Sequence, residues 1–199
     1  DITASGNITG VTTLTLASVG GTATLSADVD VTTLTVGSTV ANVAFTGNGS
    51  SVANAVAFAN DGTLILGVNG GTQTYNGGLT TTSVGGTVTL NGTVATSNDA
   101  VVLGAVTLGS ATTIDSNATN TTGDITIAAI TGGSNNLTLS TGDNIANADI
   151  TASGAISGLG NLTLADVGGT ATFSNNVAAA ALSAANTVAN ITFTGSTNT

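Results

Sequence analysis

Ten aspartates carry all the charge of this chain, and no Lys, Arg, His, Cys or Glu accompanies them. Chemistry here has to come from carboxylates, amides and hydroxyls. Asp28 and Asp30 are two apart in a strand-like stretch, so they share a face about 7 Å apart. Carboxylates at such a spacing serve inverting glycoside hydrolysis. Yet no cation or imidazole is present to bind substrate or to act as a further acid–base group. In the second copy of this stretch the aligned residues are Asn176 and Ala178. The chain is therefore read as having no enzyme activity.

Calcium is a better use for the aspartates. Asp61 in Asn60-Asp61-Gly62, Asp99 after Asn98, and Asp143 in Gly142-Asp143-Asn144 stand at turn-like positions and are the calcium candidates. The Gly-Gly-x-Gly-x-Asp nonapeptide of calcium β-rolls is absent. Asp and Asn also form turns unaided, so turn formation is the default and no cofactor is expected. Asn-x-Ser/Thr triplets at Asn7, Asn48, Asn91, Asn117, Asn120, Asn136, Asn161 and Asn190 arise readily in so Asn- and Thr-rich a chain. Thr-x-Thr on flat β-faces is the pattern of ice-binding solenoids. Variable repeat length is expected to make the Thr arrays drift here, leaving Thr as a surface residue of good β propensity. A carbohydrate-binding face calls for exposed aromatics, and Tyr75 is the one candidate.

The elements that position these groups read as short strands. Thr13-Leu14-Thr15-Leu16, Thr22-Ala23-Thr24-Leu25, Thr87-Val88-Thr89-Leu90 and Leu137-Thr138-Leu139 alternate with period two, the signal of a half-buried strand. Between such runs sit Gly20-Gly21, Asn48-Gly49, Asp61-Gly62, Gly85-Gly86 and Asn91-Gly92, which supply corner conformations. Strands recur every 20 residues, as from Leu14 to Leu34 and from Leu25 to Phe45, or every 25, as from Asp124 to Asp149. The spacing predicts an all-β parallel solenoid of about 20–25 residues per rung and roughly nine rungs.

A larger repeat contains the smaller one. Residues 149–199 align with 1–51 without a gap, and 28 of the 51 positions are identical. Residues 1–199 thus read as one continuous solenoid, with 1–148 a full superrepeat and 149–199 the start of the next. The two copies are expected to superpose after about seven rungs, and residue 199 to lead into a continuation of the stack. Leu14, Leu16, Leu25, Leu34 and Phe45 should point inward, as should Leu162, Leu164, Phe173, Leu182 and Phe193. The segment Val177-Ala178-Ala179-Ala180-Ala181-Leu182 favours helix by propensity, but it aligns with strand-like Val29–Leu34 and is read as strand. A string of β-sandwich modules is the competing fold. It wants bulky buried centres, and this chain has no Trp, one Tyr and four Phe.

Composition narrows the partners. Without Lys or Arg nothing neutralises phosphates, which argues against nucleic acid and anionic membrane surfaces. Thr, Ser, Asn and Gly interrupt every apolar run, so no transmembrane helix is expected. No basic n-region is present, which places any export signal outside these residues. A net charge of −10 keeps an extended object from adhering side to side.

Gly70-Gly71-Thr72-Gln73-Thr74-Tyr75-Asn76-Gly77 resembles a GTQTYNG segment that recurs in very large bacterial surface proteins. Val106–Ser116 and Gly123–Asp143 are similar to other repeats of those filamentous-haemagglutinin-like proteins, and the composition is similar to that of surface-layer proteins. The resemblance implies a right-handed parallel β-helix, secreted and displayed at the cell surface as fibre, stalk, sheath or adhesin shaft. Its partners would be further copies of the same solenoid and cell-surface carbohydrate. A carbohydrate- or calcium-binding solenoid module is the alternative reading.

Overall fold

The computed structural model describes residues 1–119, 123–142 and 147–199, and its regular elements are β-strands joined into one 17-stranded sheet. Neighbouring strands run parallel, each pairing with its like one turn on. On the first face the paired positions are Ile2, Ala23, Val43, Leu64, Val88, Val106, Ile130, Ile156 and Val177. That column defines a β-solenoid of about 9 turns with about 21 residues per turn, as the strand spacing predicts. Individual turns vary more than the sequence suggests, from 18 residues (Val88 to Val106) to 26 (Ile130 to Ile156). The corners absorb the difference.

Two further faces complete each rung. The second carries Gln73, Val94, Ile114, Leu139, Leu164 and Ala184 in register. The third carries Leu79, Val101, Ile125, Ile150, Ala171 and Ile191. We number the corners by the face they follow. Alternation places the aliphatics inside: Val94, Ile114, Leu139 and Leu164 are fully buried and stack upon one another. Burying each such side chain contributes about 1.5–3 kcal/mol. A thin core of small aliphatics suffices because every rung is covered above and below. The largest buried groups gather in the third and fourth rungs, where Tyr75 meets Phe45 and Phe58 edge-on, each at 6.3 Å.

Val177–Ala184 is a strand, paired with Ile156–Leu164. The ready-made ladder of the preceding rung overrides the helix propensity of alanine. Seven of the ten residues expected to face inward are buried: Leu16, Leu25, Leu34, Phe45, Leu162, Leu164 and Phe173. Leu14 and Phe193 are partly buried against the core. Leu182 is 50% exposed, a correction to the expectation. It stacks on Leu162 in the last full rung, where only one side is covered.

The two similar stretches form like strands, but not on like faces. Ile2 stands on the first face, whereas Ile150 stands on the third, over Ile125. Phe45 and Phe193 differ in the same way. From Ile2 to Ile130 the first-face column counts six rungs, and Ile150 lies two faces further on. The 148 residues therefore advance six and two-thirds turns rather than seven, and the second stretch is rotated by one face.

Candidate functional site: an acidic corner and its clips

The second corner gathers aspartates from successive rungs. Asp99, Asp124, Asp149 and Asp166 fall between a second-face strand and the following third-face strand, and Asp115 ends a second-face strand at the same corner. Asp61 does not join them. It lies at the third corner, exposed, between the Val56–Ala57 and Leu64–Leu66 strands, and its N–H donates to Val40 O at 2.9 Å. Asp143 lies outside the described residues. Two of the three calcium candidates thus sit on different edges of the solenoid. Among the described residues, no three acidic side chains converge as a metal site would require.

Most aspartates at rung edges are engaged instead by main chain. Asp1 Oδ1 accepts the N–H of Thr22 at 2.7 Å, and Asp28 Oδ1 that of Gly49 at 2.7 Å. Asp30 Oδ1 accepts from Ser51 at 3.1 Å, Asp124 Oδ1 from Asp149 at 2.8 Å, and Asp149 Oδ1 from Thr170 at 2.7 Å. Asparagines do the same: Asn42 Oδ1 for Thr63 at 2.9 Å, Asn136 Oδ1 for Asn161 at 2.9 Å, and Asn176 Oδ1 for Thr197 at 3.1 Å. Each bond reaches one rung up. The side-chain oxygen supplies the acceptor where the parallel ladder has not yet begun, so an edge N–H does not go unpaired. Asp28 and Asp30, paired on paper as a catalytic couple, are two such clips.

Sequence reasoning gave the turn role to Asp61, Asp99 and Asp143, read Asp28 and Asp30 as a pair on one strand face, and missed the clip. The signal is present: an Asp or Asn stands directly before the aliphatic that opens a face, as in Asp1-Ile2, Asp28-Val29, Asn42-Val43, Asp124-Ile125, Asn136-Leu137, Asp149-Ile150 and Asn176-Val177.

Inside the same corner, hydroxyls form a second rung-to-rung series. Thr96 Oγ1 donates to Ser116 O at 3.1 Å, Ser116 Oγ to Thr141 O at 3.4 Å, and Thr141 Oγ1 to Asp166 O at 3.4 Å. All three hydroxyl residues are buried, and these bonds offset the cost of placing them there. Asn60, also buried, donates through Nδ2 to Gly62 O and Thr63 O at 3.1 and 2.9 Å, while its Oδ1 has no partner among the described residues.

Tyr75 is not on a surface. It is fully buried and donates to Gln73 Oε1 at 2.9 Å, and Gln73 Nε2 donates in turn to Phe45 O at 2.8 Å. Burial pushes the Tyr75 phenol well above its usual pKa of 10.0. The one aromatic proposed for sugar stacking is thus a core residue.

The Thr arrays, expected to drift, hold register on the second face. Thr72, Thr93, Thr113, Thr138, Thr163 and Ser183 follow one another through paired positions. Corner loops absorb the variation in rung length, so the faces stay aligned. Comparison with protein-family models, with curated proteins and with solved structures gave no match.

Proposed function

We propose that this chain is a structural segment of a long extracellular β-solenoid protein, a cell-surface fibre, stalk, sheath or adhesin shaft of the filamentous-haemagglutinin-like kind. One observation carries this reading. The sequence restarts its unit at residue 149, and the stack of rungs runs through that point without a break. A unit that can restart without interrupting the column suits a rod lengthened by repetition. Its partner in that role is more of the same solenoid, and the uniformly negative charge keeps neighbouring rods apart.

Tandem arrays test this. At about 4.8 Å per rung, each 148-residue unit should add about 32 Å of straight length. Electron microscopy of arrays with increasing unit number should show rods growing linearly by that step. Flexible beads would overturn the proposal. Surface labelling of intact source cells tests display separately.

A second reading, a module that holds carbohydrate on one face, is favoured by the in-register Thr row of the second face. Binding to insoluble polysaccharide should then fall in a Thr113→Val/Thr138→Val variant. Binding that is absent, or indifferent to that change, removes this reading.

A further inference from the structure

The first corner stacks three Asn–Gly steps on consecutive rungs: Asn48-Gly49, Asn69-Gly70 and Asn91-Gly92. Asn–Gly is the dipeptide most open to intramolecular attack, because glycine puts no side chain in the way of its own nitrogen. The three share sequence and corner but differ in restraint. The Gly49 N–H is held by Asp28 Oδ1 at 2.7 Å. Gly92 is buried, its N–H donates to Ser110 Oγ at 3.3 Å, and Asn91 Nδ2 donates to Leu66 O at 3.5 Å. A fourth step, Asn76-Gly77, lies at the second corner, with Asn76 Nδ2 held by Ser51 Oγ at 3.1 Å and Val52 O at 3.3 Å.

Asn69-Gly70 has no such hold. Both residues are exposed, and among the described residues neither the Asn69 side chain nor the Gly70 N–H has a hydrogen-bond partner. The space around Gly70 is open, with no heavy atom within 4 Å of where a β-carbon would stand.

We propose that Asn69 is a site of spontaneous deamidation in the folded protein, and that its neighbours in the corner stack are protected. The Gly70 nitrogen attacks Asn69 Cγ, a C–N bond forms, and the side-chain nitrogen leaves as ammonia, taking up the proton lost from the Gly70 amide. Water then opens either carbonyl of the resulting succinimide, leaving aspartate or isoaspartate at position 69. No oxidant or enzyme is needed. The product carries one negative charge more than the −10 of the fresh chain. Isoaspartate also lengthens the main chain by one carbon, which this open corner has room to accept. In the surface rod proposed above, on which this consequence rests, such a step marks age irreversibly.

The test is incubation of the folded chain at mildly alkaline pH, followed by peptide mapping with pepsin or elastase, since trypsin has no Lys or Arg to cut. The Asn69 peptide should gain the amide-to-acid mass shift first, while peptides holding Asn48, Asn76 and Asn91 keep their amides. The same chain unfolded in urea should convert all four at similar rates. An Asn69→Gln variant should remain unmodified over the same period when folded. Conversion of Asn48 or Asn91 as fast as Asn69 in the folded chain would overturn the proposal. So would an Asn69 that converts only after unfolding.

Discussion

Asp124 and Asp149 are joined across one rung by a bond in which each plays a different part. Asp124 Oδ1 accepts the main-chain N–H of Asp149 at 2.8 Å, and Asp149 passes the same service upward, accepting from Thr170 at 2.7 Å. Two carboxylates in line thereby tie three rungs at one edge. The bond uses the oxygen lone pair, for which a neutral amide oxygen serves as well, as Asn136 and Asn176 demonstrate.

Removal of one clip should therefore cost a hydrogen bond and not an ion pair. Asp149→Ala is expected to lower stability by about 1 kcal/mol, and Asp149→Asn by clearly less. Urea denaturation of the two variants measures this. Equal losses would assign the effect to charge.

The buried pair Gln73 and Tyr75 should couple. Tyr75→Phe strands the Gln73 Oε1 acceptor in the core and is expected to cost about 1–3 kcal/mol. Adding Gln73→Leu to that variant removes the stranded group, so the double change should cost less than the sum of the singles. A double-mutant cycle reads the difference.

Alkali should act through Tyr75. Its folded-state pKa lies well above 10.0, because burial penalises the phenolate. Above about pH 10 the unfolded chain loses this proton while the folded chain keeps it. The unfolded state then binds fewer protons, and stability falls as pH rises. Ultraviolet titration should show the phenolate appearing together with loss of the β circular-dichroism signal. Ionisation near pH 10 with the fold intact would contradict a buried Tyr75.

Two glycines separate backbone strain from crowding. Gly67 and Gly70 both have positive φ, 77° and 73°. A β-carbon at Gly67 collides with the carbonyl of Asn91 one rung on, whereas one at Gly70 meets nothing. Gly70→Ala should cost about 1–2 kcal/mol for the left-handed conformation alone. Gly67→Ala should cost distinctly more, because that carbonyl belongs to packed backbone. Thermal melts of the two variants make the comparison.

Calcium should leave the fold indifferent. Asp61 and Asp99 occupy different corners, and rung-edge carboxylates already accept main-chain hydrogen bonds. Chelator or added calcium is expected to leave Tm unchanged. A rise in Tm with calcium that Asp99→Asn abolishes would make the second corner a metal site.

The architecture was legible because period two and a period near 20 are both local patterns. Alternation in Leu137-Thr138-Leu139 names the inward residues, and recurrence names the rung. The clips were only half legible, since Asp before a strand looks the same whether it shapes its own turn or reaches the next one. Tyr75 was misplaced because one aromatic among Thr and Asn reads as surface. Only the register that sets Gln73 beside it, and Phe45 and Phe58 around it, puts it inside.

By itself, the sequence determined that the fold is all-β, that it coils into about nine rungs, and most of the aliphatic side chains that line the core, because strand sterics and burial act between near neighbours. Tertiary structure alone decided the rest. Corners that vary in length add up, and their sum places Ile150 on the third face although its counterpart Ile2 stands on the first. The same sum keeps Thr93, Thr113 and Thr138 in one row despite unequal rungs. Phase around an axis accumulates over the whole chain, and no local pattern contains it.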